Sequence, residues 1–246
     1  MVPWSGDKRR SVASTQDSNV ESSVRFGADV TPGYCKTWYL DQVRPFLENP
    51  DSRGPEVVAR YFGEVSRKTD RRLWEDLGWR YGILELSYGL VDQEWVTFPA
   101  HWHRGPRRTP FPVIIEVMQG MAWIILQKAD TFDRVRDVGW FQLLAGERAI
   151  LPPGHVHAIM NASSVPLVLA DGHSVETEAD FEGVSRHRGA AYYGGPTGFR
   201  SNPHYRSHPP VRELSKSIMA PPDASGRDLY TALLETPERF RFLHPY

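Results

Sequence analysis

Residues 146–161 read GERAILPPGHVHAIMN, and this stretch decides the fold. Gly146 suits a turn into a short strand, because glycine adopts left-handed backbone conformations at little steric cost. Pro152 and Gly154 predict a second tight turn, and the strand that follows carries His157 toward the interior. The pattern therefore predicts two strands joined by a tight turn, with a histidine on the inner face.

A second histidine signal, HWH, lies upstream at residues 101–103. Side chains alternate across a β-strand, so His101 and His103 point to the same face. His157 on a facing strand can complete a three-histidine set. Imidazole nitrogen binds iron, nickel and zinc well, so the sequence predicts a divalent metal held by these three residues.

The pattern G-x5-P-x-G-x2-H-x3-N, matched at every fixed position by residues 146–161, resembles the second cupin motif, and the HWH pair resembles the start of the first. Several further segments are similar to cupin-type glucose-6-phosphate isomerases: FPVIIEVMQG at 111–120, IILQ at 124–127, GAAYY at 189–193 and NPHY at 202–205. The resemblance covers roughly residues 73–213. It implies an all-β fold with peripheral helices, the cupin double-stranded β-helix or jelly-roll barrel.

The sequence also departs from that family. The resemblance places the family's glutamate ligand, thought to serve also as the proton-transferring base, at Val113, and a family tyrosine at Ile115. Glu116 lies an odd number of residues from Val113, so it should face outward unless a bulge turns it inward. The resemblance with these changes implies a metal centre that has lost its carboxylate.

Other polar residues are candidates for the same site. His155 precedes His157 by two residues and is expected to face the interior as an acid–base or substrate-binding group, although a structural role is an alternative. Glu94 is the second catalytic candidate. Arg104 could attract an anionic substrate, although a solvated loop position is an alternative. The predicted substrate-binding side chains are Tyr88, Arg104, Val113, Ile115, Trp140 and Gln142.

Composition limits the partners. The chain of 246 residues carries 29 basic and 30 acidic side chains, and the net charge of -1 gives no electrostatic reason to expect nucleic acid or a membrane. The single cysteine, Cys35, excludes an internal disulfide and is expected to be inert. Polar residues follow Lys8 to Arg10 where a secretion signal needs apolar ones. These features predict a cytoplasmic protein. The resemblance to cupins, which often pair through strands, implies a homodimer that binds a small molecule.

The chain divides into four predicted regions. Residues 1–30 are expected to be disordered or extended, and 31–79 to form a helical or irregular region packed on the barrel, with helix-like spacing at Val57, Val58, Tyr61 and Phe62. The cupin metal-binding domain spans 80–210. Residues 211–246 form an extension with a short helix. The predicted strands are Tyr81–Tyr88, Glu94–His103, Phe111–Met118, Met121–Gln127, Val138–Leu144, Arg148–Leu151, His155–Met160 and Val165–Ala170.

Three functional hypotheses follow. Three neutral imidazoles leave the charge of a divalent metal uncompensated, which favours an Fe(II)-dependent oxygenase that uses O2 on a small, polar, metal-chelating substrate of specialised metabolism. Ni, Mn and Zn suit the same ligands. The alternative is a sugar or sugar-phosphate isomerase or epimerase with His155 or Glu94 as its base. A further alternative is a non-catalytic cupin that binds a ligand or a metal.

Overall fold

A computed structural model describes residues 22–131, 133–221 and 226–244. The prediction of disorder for residues 1–30 therefore falls largely outside the described residues. The strands are β1 Val30–Thr31, β2 Tyr34–Tyr39, β3 Val57–Gly63, β4 Ser66–Arg67, β5 Trp79–Leu86, β6 Leu90–Val91, β7 Glu94–Trp95, β8 Thr97–Arg104, β9 Val113–Gln119, β10 Met121–Thr131, β11 Arg134–Leu144, β12 Arg148–Leu151, β13 Val156–Asn161, β14 Leu167–Ser174, β15 Glu178–Asp180, β16 Tyr192–Gly195, β17 Gly198–Ser201 and β18 Arg212–Glu213.

Helices are short. The α-helices are α1 Leu40–Val43, α2 Arg71–Leu77, α3 Glu182–Ser185 and α4 Leu229–Glu235, and the 3-10 helices are Arg44–Phe46, Pro106–Arg108, Lys216–Met219 and Pro237–Leu243. Within the described part of the chain, no helix has the length and hydropathy needed to cross a membrane.

Two six-stranded sheets form the body of the molecule. Sheet 1 has the strand order β15-β8-β13-β10-β11-β18, and sheet 2 has the order β12-β9-β14-β5-β3-β2. Their inner faces share one apolar core, to which sheet 1 contributes Ile124 and Phe141 and sheet 2 contributes Leu86, Ile115 and Leu169, each almost fully buried. Two facing sheets with this core confirm the predicted cupin fold.

The outer faces of both sheets are covered as well. Helix α4 packs on sheet 2, where Leu233 and Ile114 belong to one buried cluster. The segment after α3 covers sheet 1, and Ala191 and Tyr205 pack there with Met160. Both faces of the central strands are therefore buried, which explains their nearly continuous apolar sequences.

The helix predicted around Val57 to Phe62 is wrong. These residues form β3, which pairs with β2 on one side and β5 on the other. Because β3 is buried on both faces, its apolar residues do not alternate, and such a run resembles one face of a helix. Residues 34–39 and 57–63 are thus strands of sheet 2 rather than a layer packed on it.

The C-terminal helix forms where its apolar stripe predicts it. Leu229 and Leu233 are buried, and Pro237 opens the following 3-10 helix. The N-cap is Asp228, whose Oδ1 accepts a hydrogen bond from the Thr231 amide at 2.8 Å.

Candidate metal centre

The HWH pair lies on the inner face of sheet 1 because of an irregularity in β8. His101 pairs with His157 and Phe98 pairs with Ile159, so between these pairs two residues of β8 oppose one of β13. This extra residue is a β-bulge at Pro99–Ala100, and it lets Phe98 and His101 face inward despite their odd spacing. Regular alternation after the bulge then places His103 on the same face.

The turns of the 146–161 stretch place His157 beside His101. Gly146 and Gly154 have φ angles of 85° and 72°, in the left-handed region that the predicted turns require. Asn161 ends β13 fully buried, and its side-chain amide donates to the Val165 carbonyl at 2.8 Å. The motif therefore anchors both ends of the strand that carries His157.

His101, His103 and His157 converge as predicted. One ring nitrogen of each lies within 4.8 Å of the others, and this group contains no carboxylate. His101 and His157 are buried and His103 is half-buried. Burial lowers the pKa of His101 to about 4 and lowers the pKa values of His103 and His157 well below the ordinary range. All three rings are therefore neutral near pH 7, which is the form that binds metals.

The hydrogen bonds of these rings fit a metal ion. His101 Nδ1 lies 2.8 Å from the Pro99 carbonyl, which only accepts, so Nδ1 carries the proton and Nε2 is a bare lone pair. His157 Nε2 lies 3.1 Å from His101 Nε2. Nitrogens bound at about 2.1 Å on adjacent metal positions lie roughly 3.0 Å apart, so this separation suits two ligands of one ion.

His103 adds a second sign. Its Nδ1 is buried and has no hydrogen-bond partner among the described residues. Its ring lies parallel to that of His157, with centroids 5.2 Å apart. A buried nitrogen without a partner is costly, so a bound cation would complete this set of donors.

The three histidines form part of a cavity of about 310 Å³ between the two sheets. This volume suits a small organic molecule. Val113 and Ile115 of β9, which are predicted to contact the substrate, line it together with Phe98, Leu169 and Phe181. These residues give one part of the cavity an apolar lining, and the position that the resemblance gives to a carboxylate holds a buried valine.

A polar cluster on sheet 2 was missed by the sequence analysis. Tyr61 of β3 and Asp171 and His173 of β14 line the same cavity, and the Tyr61 hydroxyl donates to Asp171 Oδ1 at 3.1 Å. Burial raises the pKa of Tyr61 well above its usual value and also raises that of Asp171, although nearby His173 opposes the latter shift. The predicted strand ended at Ala170, because Asp-Gly at 171–172 resembles a turn; extending the alternation from Leu169 would have found both residues.

Glu94, predicted as catalytic, does not line this cavity. It lies on the outer side of sheet 1, in a separate space of about 20 Å³, which is large enough for a single water. Burial raises the pKa of Glu94 to about 7, and its Oε1 accepts a hydrogen bond from the Glu48 amide at 2.9 Å. Glu94 belongs to β7, which pairs with β6 in a separate two-stranded sheet, so the alternation of β8 does not extend to it.

His155 and Arg104 also lie outside the lining of the cavity. His155 precedes β13, so strand alternation does not extend to it; it lies outside the cavity lining, with its Nδ1 3.1 Å from the Pro153 carbonyl. Arg104 follows His103 by one residue and therefore faces the other way. Asp180 and Glu178 of the neighbouring β15 pair with Arg104 at 2.9 and 3.2 Å.

Three residues predicted to contact the substrate lie outside the lining of this cavity, for related reasons. Tyr88 lies beyond the end of β5 and is 56% exposed. Trp140 and Gln142 point away from the core, because Phe141 between them points inward. Trp140 packs against Trp123 on the outer face of sheet 1, with ring centroids 4.8 Å apart, and Trp123 Nε1 donates to Gln142.

Glu116 faces outward, as its odd offset predicts. Arg148 Nε pairs with Glu116 Oε2 at 2.7 Å, and the Leu229 amide at the start of α4 donates to the same oxygen at 2.6 Å. Glu116 therefore joins sheet 2 to the C-terminal helix and lies outside the histidine group. Cys35, expected to be inert, is exposed and unpaired on edge strand β2.

Comparison with known families identifies the chain. Residues 52–207, well over half of the chain, match the family described as Glucose-6-phosphate isomerase (GPI). The chain belongs to this family. Together with the two facing sheets and the three converging histidines, this membership makes it a cupin of the glucose-6-phosphate isomerase type. A comparison with curated proteins finds no match.

Solved structures show more distant similarity. The vicilin of Corylus avellana (hazelnut) aligns at 12% identity and a TM-score of 0.37 over 52% of this chain and 33% of its own. The vicilin of Capsicum annuum gives 18% and 0.37 over 51% and 31%. An oxalate oxidase gives 17% and 0.37 over 50% and 54%. This chain thus spans about a third of the vicilin chains and half of the oxidase, and these similarities do not indicate an activity.

Proposed function

We propose that this cupin is an Fe(II)-dependent oxygenase that acts on a small, metal-chelating substrate of specialised metabolism. One observation carries the proposal: three neutral imidazoles converge without a carboxylate in a cavity of about 310 Å³. Three protein ligands on a six-coordinate ion leave positions for a chelating substrate and for O2. Ni, Mn and Zn also suit imidazole ligands, so the choice of iron belongs to the proposal.

His101, His103 and His157 would hold the ion. When bound, iron supplies a positive charge for an anionic substrate and a redox couple for O2. Because the ligands are neutral, they leave that charge uncompensated. Val113 and Ile115, each almost fully buried, exclude water from the side of the cavity that faces the centre. A dry, apolar surrounding strengthens the attraction between the centre and an anionic substrate.

The second candidate is a sugar or sugar-phosphate isomerase or epimerase. The family match favours it. His155 and Glu94 do not line the cavity, but His173 does and offers an acid–base group. An isomerase, however, must handle several substrate hydroxyls. Here Val113 stands where the resemblance expects the base, and neither Val113 nor Ile115 offers a hydrogen bond to such hydroxyls.

Oxygen dependence separates the two candidates. The protein would be purified without added metal, analysed for metal content, reconstituted with Fe(II) and screened for substrate-dependent oxygen uptake with chelating small acids and diketones. We expect iron-dependent uptake with at least one class, and loss of uptake in His157→Ala. Turnover under anaerobic conditions with Zn, Ni or Mn would favour the isomerase and contradict the oxygenase.

The predicted homodimer and cytoplasmic location belong to this proposal as well. Size-exclusion chromatography with light scattering tests the first: we expect a mass near twice the 28.0 kDa of the chain. A monomer at all concentrations would contradict it.

A further inference from the structure

The inner face of sheet 2 carries polar groups that the proposed function does not use. Tyr61, Asp171 and His173 line the same cavity as the three metal-binding candidates. The His173 ring lies 6.1 Å from the His103 ring, measured between centroids. A small molecule bound at the three histidines therefore lies within reach of His173.

The hydrogen bonds of His173 leave one nitrogen as an acceptor. His173 is 8% exposed, and its Nδ1 lies 3.0 Å from the Ser174 carbonyl, which accepts the Nδ1 proton. Its Nε2 is then a lone pair. The nearest donor is the Tyr61 hydroxyl at 3.5 Å, but that hydroxyl donates to Asp171 at the shorter distance of 3.1 Å. Among the described residues, the buried His173 Nε2 thus accepts at most a long hydrogen bond from Tyr61.

Sheet 2 makes room for this arrangement at Gly82 of β5. A Cβ at position 82 would lie 2.1 Å from the Tyr61 hydroxyl and 2.6 Å from Asp171 Oδ1. Any side chain there would displace both groups. The same cavity also contains the Thr177 hydroxyl, which is buried and has no hydrogen-bond partner among the described residues. One buried hydroxyl without a partner, and one histidine nitrogen whose only recorded donor makes its shorter hydrogen bond to Asp171, point to a ligand that carries polar groups of its own.

We propose that His173 Nε2 accepts a hydrogen bond from a hydroxyl of the substrate whose chelating end binds the three-histidine centre. His173 is then a specificity-determining residue, and the substrate class is a metal chelator with a hydroxyl a few bonds from its chelating atoms. This inference rests on the metal centre of the proposed function, but not on oxygen chemistry.

The test compares ligands that differ only in a hydroxyl or a methyl group. The probes are pairs of α-oxo acids, whose head group chelates metals: hydroxypyruvate with α-oxobutyrate, ω-hydroxy-α-oxobutyrate with α-oxovalerate, and ω-hydroxy-α-oxovalerate with α-oxocaproate. Binding to the Ni(II)-loaded protein is measured by calorimetry. We expect the hydroxy acid of one pair to bind about 3- to 10-fold more tightly, which is the contribution of one neutral hydrogen bond.

Variants of His173 test whether this residue causes the preference for the hydroxy acid over the methyl acid. His173→Leu should reduce it to less than about 2-fold while leaving the affinity of the methyl acids unchanged, because only the acceptor is lost. His173→Gln keeps an acceptor near the position of Nε2 and should retain part of the preference. His155→Leu is the matched control, since His155 has the same Nδ1–carbonyl bond but lies outside the cavity.

Two results would overturn the inference. One is equal binding within every pair in the wild-type protein, a result that does not depend on any variant folding. The other is a preference that survives in His173→Leu. If the protein binds Ni(II) and shows the preference but takes up no oxygen, the oxygenase proposal is contradicted and this inference stands. If the protein binds no metal, both are contradicted.

Discussion

The two inner walls of the cavity both carry histidines, but they hold them differently. On sheet 1, His101 Nε2 and His157 Nε2 face each other at 3.1 Å. On sheet 2, the His173 Nε2 faces the Tyr61 hydroxyl at 3.5 Å. A backbone carbonyl holds Nδ1 and frees Nε2 in both His101 and His173. The difference teaches that the surroundings of the free nitrogen, rather than the residue type, separate a candidate metal ligand from a candidate substrate contact.

The largest expected effect comes from the sheet 1 wall. His101→Ala should weaken metal binding by more than the roughly 10–100-fold typical of losing an outer partner of a ligand, because one of three donors is removed. Competition with a chromophoric chelator measures the affinity. His173→Ala on the opposite wall is the control and should stay within about 3-fold of wild type. If both variants lost the same metal affinity, the proposed difference between the sheet 1 histidines and His173 would be contradicted.

The outer face of sheet 2 should contribute to stability and not to metal binding. Glu116→Gln breaks the ion pair with buried Arg148 and weakens the bond to the Leu229 amide. Leaving a buried charge without its partner costs about 3 kcal/mol, so urea unfolding of the metal-free protein should show a loss of that size. Unchanged metal affinity is the second expected result; a large decrease in affinity would mean that Glu116 reaches the centre.

The outer side of sheet 1 should give a pH effect through Glu94. Its folded pKa of about 7 lies above its ordinary value of 4.5 because the carboxyl is buried. Between these values the folded state binds more protons than the unfolded state, so the free energy of unfolding falls as pH rises. In the wild-type protein, Glu94 should lower the free energy of unfolding by an amount on the order of 2 kcal/mol between pH 5 and pH 8. Glu94→Gln should abolish this decrease, as measured by urea unfolding. If the free energy of unfolding depended on pH in the same way in both proteins, the raised pKa of Glu94 would be refuted.

The smallest expected effect comes from introducing the missing carboxylate at position 113 of sheet 2. Val113→Glu should add a negative charge beside the centre and weaken oxalate binding to the metal-loaded protein about tenfold. Val113→Gln has the same shape without the charge and should keep oxalate affinity near that of wild type. If oxalate binds both variants equally, the uncompensated charge of the three-histidine centre is not what attracts anions.

The fold was largely predictable because its signals are local. Gly146 and Gly154 take the left-handed φ values that their turns require, and Asn161 ends the strand as the motif indicates. The alternation of His101 and His103 also holds. Predictions that relied on counting beyond an element were wrong: His155 precedes β13, Tyr88 follows β5, and β14 continues to Ser174 rather than ending at Ala170. Strand ends depend on pairing with neighbours, which a single segment does not contain.

The sequence by itself determined the scaffold, the three converging histidines and the valine at position 113, because tight turns and two-residue alternation are properties of neighbouring residues. Only the tertiary structure decided what shares the cavity with them. It joined β3, β5 and β14 so that Tyr61, Gly82 and His173 meet on one inner face, and it placed Glu94, Trp140 and Gln142 on the outer face of sheet 1. The physical reason is that strand pairing across distant parts of the chain, together with the bulge in β8, sets which side of each sheet faces the interior.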